Sequence, residues 1–331
     1  MKFVIDDKIP FICGLAERLA DEVVYLPGGI ISPADVRDAD ALIVRTRTLC
    51  NRRLLEGSRV RFIATATIGY DHIDTDYLSE AGIEWTNCPG CNATSVAQYV
   101  RNALLEAEQN GLIALSEATL GFIGFGHVGT AVYETMMPYV KKILVNDPPL
   151  FELHSQLSIL QSPLSTIYET SDIITLHTPL TFEGSYPTHH LIDGKSMRKL
   201  KRNPIIINAA RGGVVDEDAL LRAMDEGLVR QTIIDTWESE PDINLELLQR
   251  AFIATPHIAG YSADGKANAT RMVLNALSIW MGRDLTFDIR PPQALPSRTG
   301  LQYSPLEDSA RLKANPEGFE QQRGDYPLRR E

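Results

Sequence analysis

Three polar residues stand just beyond apolar, β-branched runs, where an open α/β sheet presents side chains to a ligand. Arg211 follows Ile205-Ile206-Ile207-Asn208, Glu240 follows Ile233-Ile234-Asp235, and His257 follows Ile253-Ala254-Thr255-Pro256. Glu240 comes 29 residues after Arg211, and His257 comes 17 after Glu240. Their types suit one chemistry. An alcohol gives up a hydride only as a base takes its hydroxyl proton, and histidine does this near neutral pH. A carboxylate beside the imidazole orients it and favours its charged form. An arginine grips a substrate carboxylate bidentately and polarises the C2 oxygen. Singly, each has a plainer reading as a loop histidine, a surface ion pair and a solvent-facing acid before proline. Together they point to hydride transfer at C2 of a small anionic 2-hydroxy acid.

Such a hydride needs an acceptor, and the chain contains a site for one. Gly124-Phe125-Gly126-His127-Val128-Gly129 is a G-x-G-x-x-G segment placed between the strand-like run Leu120–Ile123 and a helical pattern. The first glycine permits the tight turn, the second lets a pyrophosphate approach the backbone, and the third lets helix and strand pack closely. Asp147 ends the next strand-like run, 18 residues after Gly129, near the spacing expected of the acid that binds a ribose 2′-hydroxyl. Pro148 and Pro149 follow it, with no arginine to hold a 2′-phosphate, so NAD is favoured over NADP. This motif alone leaves a mononucleotide or a flavin open.

The elements that position these residues alternate between strand and helix. Lys2–Asp6, Glu22–Leu26, Ala41–Arg45, Arg61–Ala66 and Ile83–Thr86 read as strands, with helical patterns over Phe11–Ala20, Pro33–Ala39, Asn51–Glu56 and Thr75–Ala81. A long helical stretch follows from Asn92 to Asn110. Alternation then resumes with strands at Thr119–Ile123, Lys141–Asn146, Asp172–Leu176, Pro204–Asn208 and Thr232–Asp235. Repeated βα units imply parallel sheets covered by helices on both faces. The expected fold is α/β, with two doubly wound parallel-sheet domains: a Rossmann NAD-binding domain over 99–257 and a flavodoxin-like substrate domain over 1–98 and 258–283. The helical pattern Ser262–Trp280 returns to the substrate domain. Residues 284–331 are rich in proline and polar residues. They read as an irregular C-terminal tail with at most a short helix near Pro305–Leu312, a possible dimerisation segment.

The bulk composition restricts the partners. The 331 residues carry a net charge of -11, which repels nucleic acid and anionic membrane surfaces. No apolar run approaches the ~20 residues of a membrane helix. The N-terminus has too short an apolar run for a signal peptide. Four cysteines in so long a chain do not form a disulfide scaffold, so a reducing cytoplasm is the expected setting. Cys88-Pro89-Gly90-Cys91 is a C-x-x-C segment with no second ligand pair elsewhere. It reads as a turn before a helix capped by Asn92 or Thr94, and no metal site is expected.

Three segments carry a family resemblance. Asn208-Ala209-Ala210-Arg211-Gly212-Gly213-Val214-Val215-Asp216, Asp235-Thr236-Trp237-Glu238-Ser239-Glu240-Pro241 and Thr255-Pro256-His257-Ile258-Ala259-Gly260-Tyr261 resemble the D-isomer-specific 2-hydroxyacid dehydrogenases. The resemblance implies a catalytic Arg211, Glu240 and His257, with NAD as cofactor. Val44-Arg45-Thr46, the stretch from Phe62 to His72, Pro89 to Ala93, Asp147-Pro148-Pro149, His177-Thr178-Pro179-Leu180, and Ser262 with Gly265-Lys266 resemble a branch of that family with a phosphorylated substrate. By that likeness Thr46, Thr67 and Tyr261 contact substrate. Asp147, Thr178, Ala209, Ala210, Arg211, Asp235 and Gly260 contact NAD, with Asp235 facing the carboxamide. A homodimer is implied as well, although the family carries a substantial C-terminal dimerisation module and only about 48 residues follow Arg283 here. Two anionic groups on one substrate need two cationic subsites. Arg211 suits the carboxylate, and Arg45 with Thr46 suits the phosphate, unless Arg45 serves a structural ion pair. Two alternatives stay open: another D-2-hydroxyacid dehydrogenase, for example one acting on 3-phosphoglycerate, and a non-catalytic NAD-sensing binding protein on the same scaffold.

Overall fold

A computed structural model of the chain describes residues 1–154, 161–291, 303–327 and 329–331. The chain divides into two units. The first holds Met1–Asn92, the described part of Ser262–Ala294, and Arg330. The second holds Ala93–Tyr261, the described part of Leu295–Arg329, and Glu331. The sequence pattern puts the junctions at 98/99 and 257/258. The structure moves both, because the whole helix Ala93–Gln109 packs with the second unit, where Tyr99 Oη lies 2.8 Å from Thr255 Oγ1.

The first unit is built on β1 (Lys2–Asp6), β2 (Glu22–Leu26), β3 (Ala41–Val44), β4 (Phe62–Thr65) and β5 (Glu84–Thr86), all parallel, in the order β2-β1-β3-β4-β5. Successive side chains on a strand face opposite ways. Phe3, Ile5, Ala41, Ile43 and Phe62 therefore pack under the helix Ala263–Trp280 with Ala267, Val273, Leu274 and Leu277. Val4, Leu42, Val44 and Ile63 pack on the other face with Leu54, Leu55 and Leu78. The order reverses between β1 and β3, so their carboxyl ends, at Asp6 and Val44, form the switch point where such sheets bind ligands. The helix expected over Phe11–Ala20 is only a 3-10 turn, Ala16–Arg18. Phe11 and Gly14 take left-handed φ angles of 63° and 81°, which interrupt a regular helix.

The second unit carries β6 (Thr119–Ile123), β7 (Lys142–Asn146), β8 (Ile173–Leu176), β9 (Ile205–Asn208), β10 (Gln231–Ile234) and the two-residue β11 (Ile253–Ala254), all parallel, in the order β11-β10-β9-β8-β6-β7. A single isolated parallel bridge joins Val145 of β7 to Gln161. Here the switch point lies between β6 and β8, at the carboxyl end of β6 where the glycine segment begins.

The C-terminal residues are not an irregular tail. Pro305–Ala314 and Phe319–Gly324 are helices, and Leu312 and Phe319 are fully buried in the core of the second unit. Burying each side chain contributes about 1.5–3 kcal/mol. The short helix expected near Pro305–Leu312 is present and runs to Ala314: Pro305 takes the first helical position, where its missing N–H costs nothing, and Pro316 begins the 3-10 turn Pro316–Gly318. The part of the expected tail over 292–302 and at 328 lies outside the described residues. Among the described residues, no helix is long and apolar enough to cross a membrane.

Candidate active site

In the second unit, His257 and Glu240 are in direct contact. His257 Nδ1 lies 2.9 Å from Glu240 Oε2 and 3.1 Å from Oε1. A carboxylate accepts, so Nδ1 carries a proton, and in the neutral imidazole the lone pair is then on Nε2. Glu240 is itself held, since Trp237 N–H donates to Oε1 at 3.0 Å, and Trp237 Nε1 donates to the Thr255 carbonyl at 2.9 Å. Burial raises the Glu240 pKa, but the hydrogen bond and charge of His257, the Trp237 N–H and the charge of Arg323 outweigh it, so the carboxyl sits below its usual range. His257 takes a left-handed φ of 56°, uncommon for a residue other than glycine. Asp235 fixes that loop: its carbonyl accepts from His257 N, and its carboxylate accepts from Thr255 Oγ1 (2.6 Å), Ile258 N (2.8 Å) and Ala259 N (2.9 Å). A carboxylate offers about four acceptor positions, so these three bonds leave it room for one more donor.

The loop that carries Arg211 is held by its own chain. Asn208 Nδ2 donates to the Arg211 carbonyl at 3.0 Å, Asn208 Oδ1 accepts from Ala210 N at 3.2 Å, and Arg211 Nη1 donates to the Ala210 carbonyl at 2.8 Å. Next to it, Gly212 lies flat against the chain at Trp237: a Cβ there would stand 1.8 Å from the Trp237 carbonyl oxygen. Only glycine lets the arginine loop and the Glu240 loop approach this closely.

The glycine segment matches its expected geometry residue by residue. Gly124 has φ 92°, and a Cβ on it would meet the His177 carbonyl at 2.5 Å. A Cβ on Gly129 would meet the Gly124 carbonyl at 2.5 Å, whereas Gly126 faces open space. The helix that begins at His127 has Gly126 as its N-cap and no side-chain cap, so Val128 and its neighbours in the first turn keep backbone N–H groups available to an anion. Thr178 Oγ1, which lies beside Gly124, is buried with no hydrogen-bond partner among the described residues. Asp147 accepts from Phe125 N at 2.6 Å and Leu150 N at 3.0 Å, which ties the end of β7 to the glycine turn. Ala209 and Gly260 are half-buried and Ala210 is buried. An open second glycine, an uncapped helix start, an orphaned buried hydroxyl and an anchored acid all fit a dinucleotide. His177, below this turn, is pushed down to about 3 by burial and is neutral.

The candidate substrate residues of the first unit are more committed. Arg45 Nε lies 3.1 Å from the fully buried Asp6 Oδ2, and its Nη2 lies 3.4 Å from Oδ1. The structural ion pair therefore exists, and it aims the guanidinium at the carboxyl ends of β1 and β3. Thr46 is exposed. Thr67 donates its proton to the Gly69 carbonyl at 2.9 Å, so its oxygen accepts from Thr65 Oγ1 at 2.7 Å. The C-x-x-C segment is a turn with both cysteines buried and neither in a disulfide, and burial pushes the Cys88 thiol up, away from thiolate chemistry. The side-chain cap expected at Asn92 or Thr94 is missing: Thr94 Oγ1 donates to Glu331, and Asn92 Oδ1 has no partner among the described residues.

The model of the D-isomer specific 2-hydroxyacid dehydrogenase NAD binding domain matches residues 92–259. The erythronate-4-phosphate dehydrogenase of Bacteroides thetaiotaomicron is 51% identical over 340 residues, which covers 100% of this chain and 97% of that protein. The chain belongs to the D-isomer-specific 2-hydroxyacid dehydrogenase family. A relative of the same name from Escherichia coli O157:H7 is 39% identical, with 100% of this chain and 87% of that protein covered. Among solved structures, the NAD+-bound 3-phosphoglycerate dehydrogenase of Entamoeba histolytica matches with a TM-score of 0.70 and 27% identity, over 85% of this chain and 95% of that one.

Several residues support this dehydrogenase site in ways that residue type and spacing do not assign, even where they stand inside the family-like segments. Asn208, Trp237 and Thr255 act through hydrogen bonds across loops, and Arg323 comes from the C-terminal segment. Glu217 is a further case. It is buried, its Oε1 accepts from Glu238 N at 2.9 Å, and its own N–H donates at 3.4 Å to Glu238 Oε1, which also lies 2.8 Å from His190 Nε2. Burial, then the nearby charges of Glu238, Asp218 and Glu240, raise its pKa from 4.5 to about 7. An acid whose pKa rises on folding stabilises the fold below its unfolded pKa and loses that contribution as pH rises through the folded value. Glu217→Gln mimics the protonated form. Its unfolding free energy should draw ahead of the parent's between about pH 5 and 8, by at most ~3 kcal/mol at ~1.4 kcal/mol per pKa unit. Denaturant unfolding at several pH values reads this difference, and a gap that stays constant with pH would count against it.

Proposed function

We propose that this chain is an NAD-dependent dehydrogenase that oxidises 4-phospho-D-erythronate at C2 to (3R)-3-hydroxy-2-oxo-4-phosphobutanoate, a reaction of pyridoxal 5′-phosphate biosynthesis. The His257–Glu240 pair carries the reading, standing in a chain that is 51% identical over its full length to an erythronate-4-phosphate dehydrogenase. NAD, when bound, supplies the hydride acceptor. Gly124, Gly126, His127, Val128 and Gly129 would hold its pyrophosphate, Asp147 its ribose hydroxyls, and Thr178, Ala209, Ala210, Asp235 and Gly260 the remainder. His257 Nε2 takes the C2 hydroxyl proton. Glu240 keeps the imidazole oriented and balances the charge it gains. Arg211 pairs with the substrate carboxylate and polarises the C2 oxygen.

For the phosphate, the reading relies on Arg45 and Thr46, with Thr67 and Tyr261 as further substrate contacts. Lys266 supports this: burial and then the nearby Arg45 charge lower its pKa, so two cations share one region of the first unit and an anion there would relieve their repulsion. On the family's pattern the enzyme is a cytoplasmic homodimer with no nucleic-acid or membrane partner. Purified protein with NAD and a panel of 4-phosphoerythronate, erythronate, 3-phosphoglycerate and lactate tests the reading. The phosphorylated four-carbon acid should give the highest kcat/KM. Preference for 3-phosphoglycerate would move the enzyme elsewhere in the family, and NADH binding without turnover of any of them would make it a sensor.

Cofactor choice is a separate expectation. Both oxygens of Asp147 are tied to backbone N–H groups, so the carboxylate cannot swing away from an added 2′-phosphate. The enzyme should prefer NAD, and Asp147→Ala should weaken NAD binding while narrowing the gap to NADP. Titration with both reduced cofactors measures this, and a parent enzyme that binds NADPH more tightly would refute it.

A further inference from the structure

Arg323 lies in the short helix Phe319–Gly324, far along the chain from the residues assigned to chemistry, yet its guanidinium faces them within the second unit. Its Nε donates to Tyr261 Oη at 3.1 Å, and its Nη1 stands 3.9 Å from Glu240 Oε2, the oxygen nearer to His257 Nδ1. The guanidinium carbon is 5.9 Å from the centroid of the Tyr261 ring. Only 21% of the side chain is exposed. We propose that Arg323 is a positioning residue for proton transfer: from the C-terminal segment it holds Glu240 ionised and Tyr261 in place, so that His257 meets the substrate with Nε2 free.

The segment is anchored well enough for this task. Phe319 is buried in the core of the unit, and Tyr326 Oη donates to Asp308 Oδ2 at 2.6 Å. Arg329, almost fully buried, donates to the Ala259 carbonyl at 2.6 Å and the Ser95 carbonyl at 3.2 Å, and it also contacts Ser95 Oγ. Ala259 N is one of the donors that Asp235 uses to fix the His257 loop. Ser309 Oγ accepts from Ala254 N at 2.9 Å, at the strand that leads to His257. The C-terminal segment thus supports the catalytic loop at Ala254, at Ala259 and, through Arg323, at Tyr261 and Glu240.

The charges around the pair define what Arg323 does. Asp235 and Glu217 also stand near the pair, with carboxyls whose pKa burial raises, and Arg323 supplies a cation beside Glu240. Glu320 Oε1 lies 3.7 Å from Arg323 Nη1 on the outer side. At 3.9 Å the contact with Glu240 is electrostatic, too long for a hydrogen bond, so the charge matters more than the geometry of the fork. Without the cation, the His257–Glu240 pair binds a proton more readily.

The inference rests on His257 as the base, and the experiment separates the two. The pH dependence of kcat/KM for oxidation is measured for the parent, Arg323→Gln and Arg323→Lys, with NADH titration and thermal melting on the same preparations. Arg323→Gln should move the acid limb to higher pH by about one unit and lower kcat/KM near neutrality about tenfold, with NADH affinity unchanged. Arg323→Lys, which keeps the charge, should return most of the limb to its parental position. If Arg323→Gln does not fold, Arg323→Met takes its place. A neutral variant whose limb coincides with the parent's overturns the proposal, as does a lysine variant displaced as far as the neutral one. A parent with no acid limb would instead remove His257 as the base, leaving Arg323 nothing to position.

Discussion

His257→Ala should lower kcat by about 10²–10⁴-fold, the usual loss when a general base is removed. NADH affinity should stay within a few-fold of the parent. The polar partner of the His257 side chain is Glu240, on a different loop from the glycine turn, Asp147 and Thr178. One structural detail affects the choice of variant. His257 has φ 56°, a left-handed conformation that asparagine tolerates better than alanine. His257→Asn should therefore show the same loss of turnover with less effect on folding, and the two variants together separate chemistry from backbone strain. Stopped-flow turnover and NADH fluorescence titration measure the two quantities. Near-parental kcat in either folded variant would remove His257 as the base.

Gly212→Ala should be nearly as damaging, although Gly212 does no chemistry. The added methyl would stand 1.8 Å from the Trp237 carbonyl oxygen and 2.6 Å from Glu238 N, both backbone atoms that cannot rotate aside. The two loops must part by more than an ångström. Trp237 holds Glu240 through its N–H and the Thr255 carbonyl through its indole, so the shift reaches both members of the catalytic pair. Misplacement of about 1 Å costs on the order of 10²-fold in rate, and forced overpacking costs ~1–3 kcal/mol of stability. Gly213→Ala is the matched control. Its methyl would meet only side-chain atoms, Leu180 at 3.4 Å and His189 at 3.5 Å, which can yield. It should remain close to the parent in kcat/KM and melting temperature. Equal behaviour of the two variants would show that the close approach at Gly212 is not what unites the loops.

Much of this was legible in the sequence because the signals are local. β-branched runs such as Ile205-Ile206-Ile207 announce strands buried on both faces, and their alternation with helical patterns gives two parallel sheets. The glycine segment followed by Asp147 states its own chemistry, because each glycine answers a backbone requirement within one turn. Arg211, Glu240 and His257 declare themselves as polar residues just beyond apolar strands. The errors were local too. Phe11–Ala20 has helical spacing but is interrupted by left-handed residues, and the polar, proline-rich C-terminal segment, expected to be irregular beyond Pro305–Leu312, holds a second helix, Phe319–Gly324.

What only the tertiary structure decided is which groups meet across long chain separations, because contact between loops leaves no period or spacing in a sequence. Sequence spacing alone cannot show that Gly212 lies against Trp237, or that Asp235 spends three acceptor positions on the His257 loop. It cannot show that Arg45 is held by Asp6, 39 residues away. Arg323 is the extreme case: it follows His257 by 66 residues, in a polar stretch with no motif, and reaches Glu240 only because Phe319 and Leu312 are drawn into the core. Residue types determined what chemistry this chain can do. Burial and packing decided which residues stand close enough to support it.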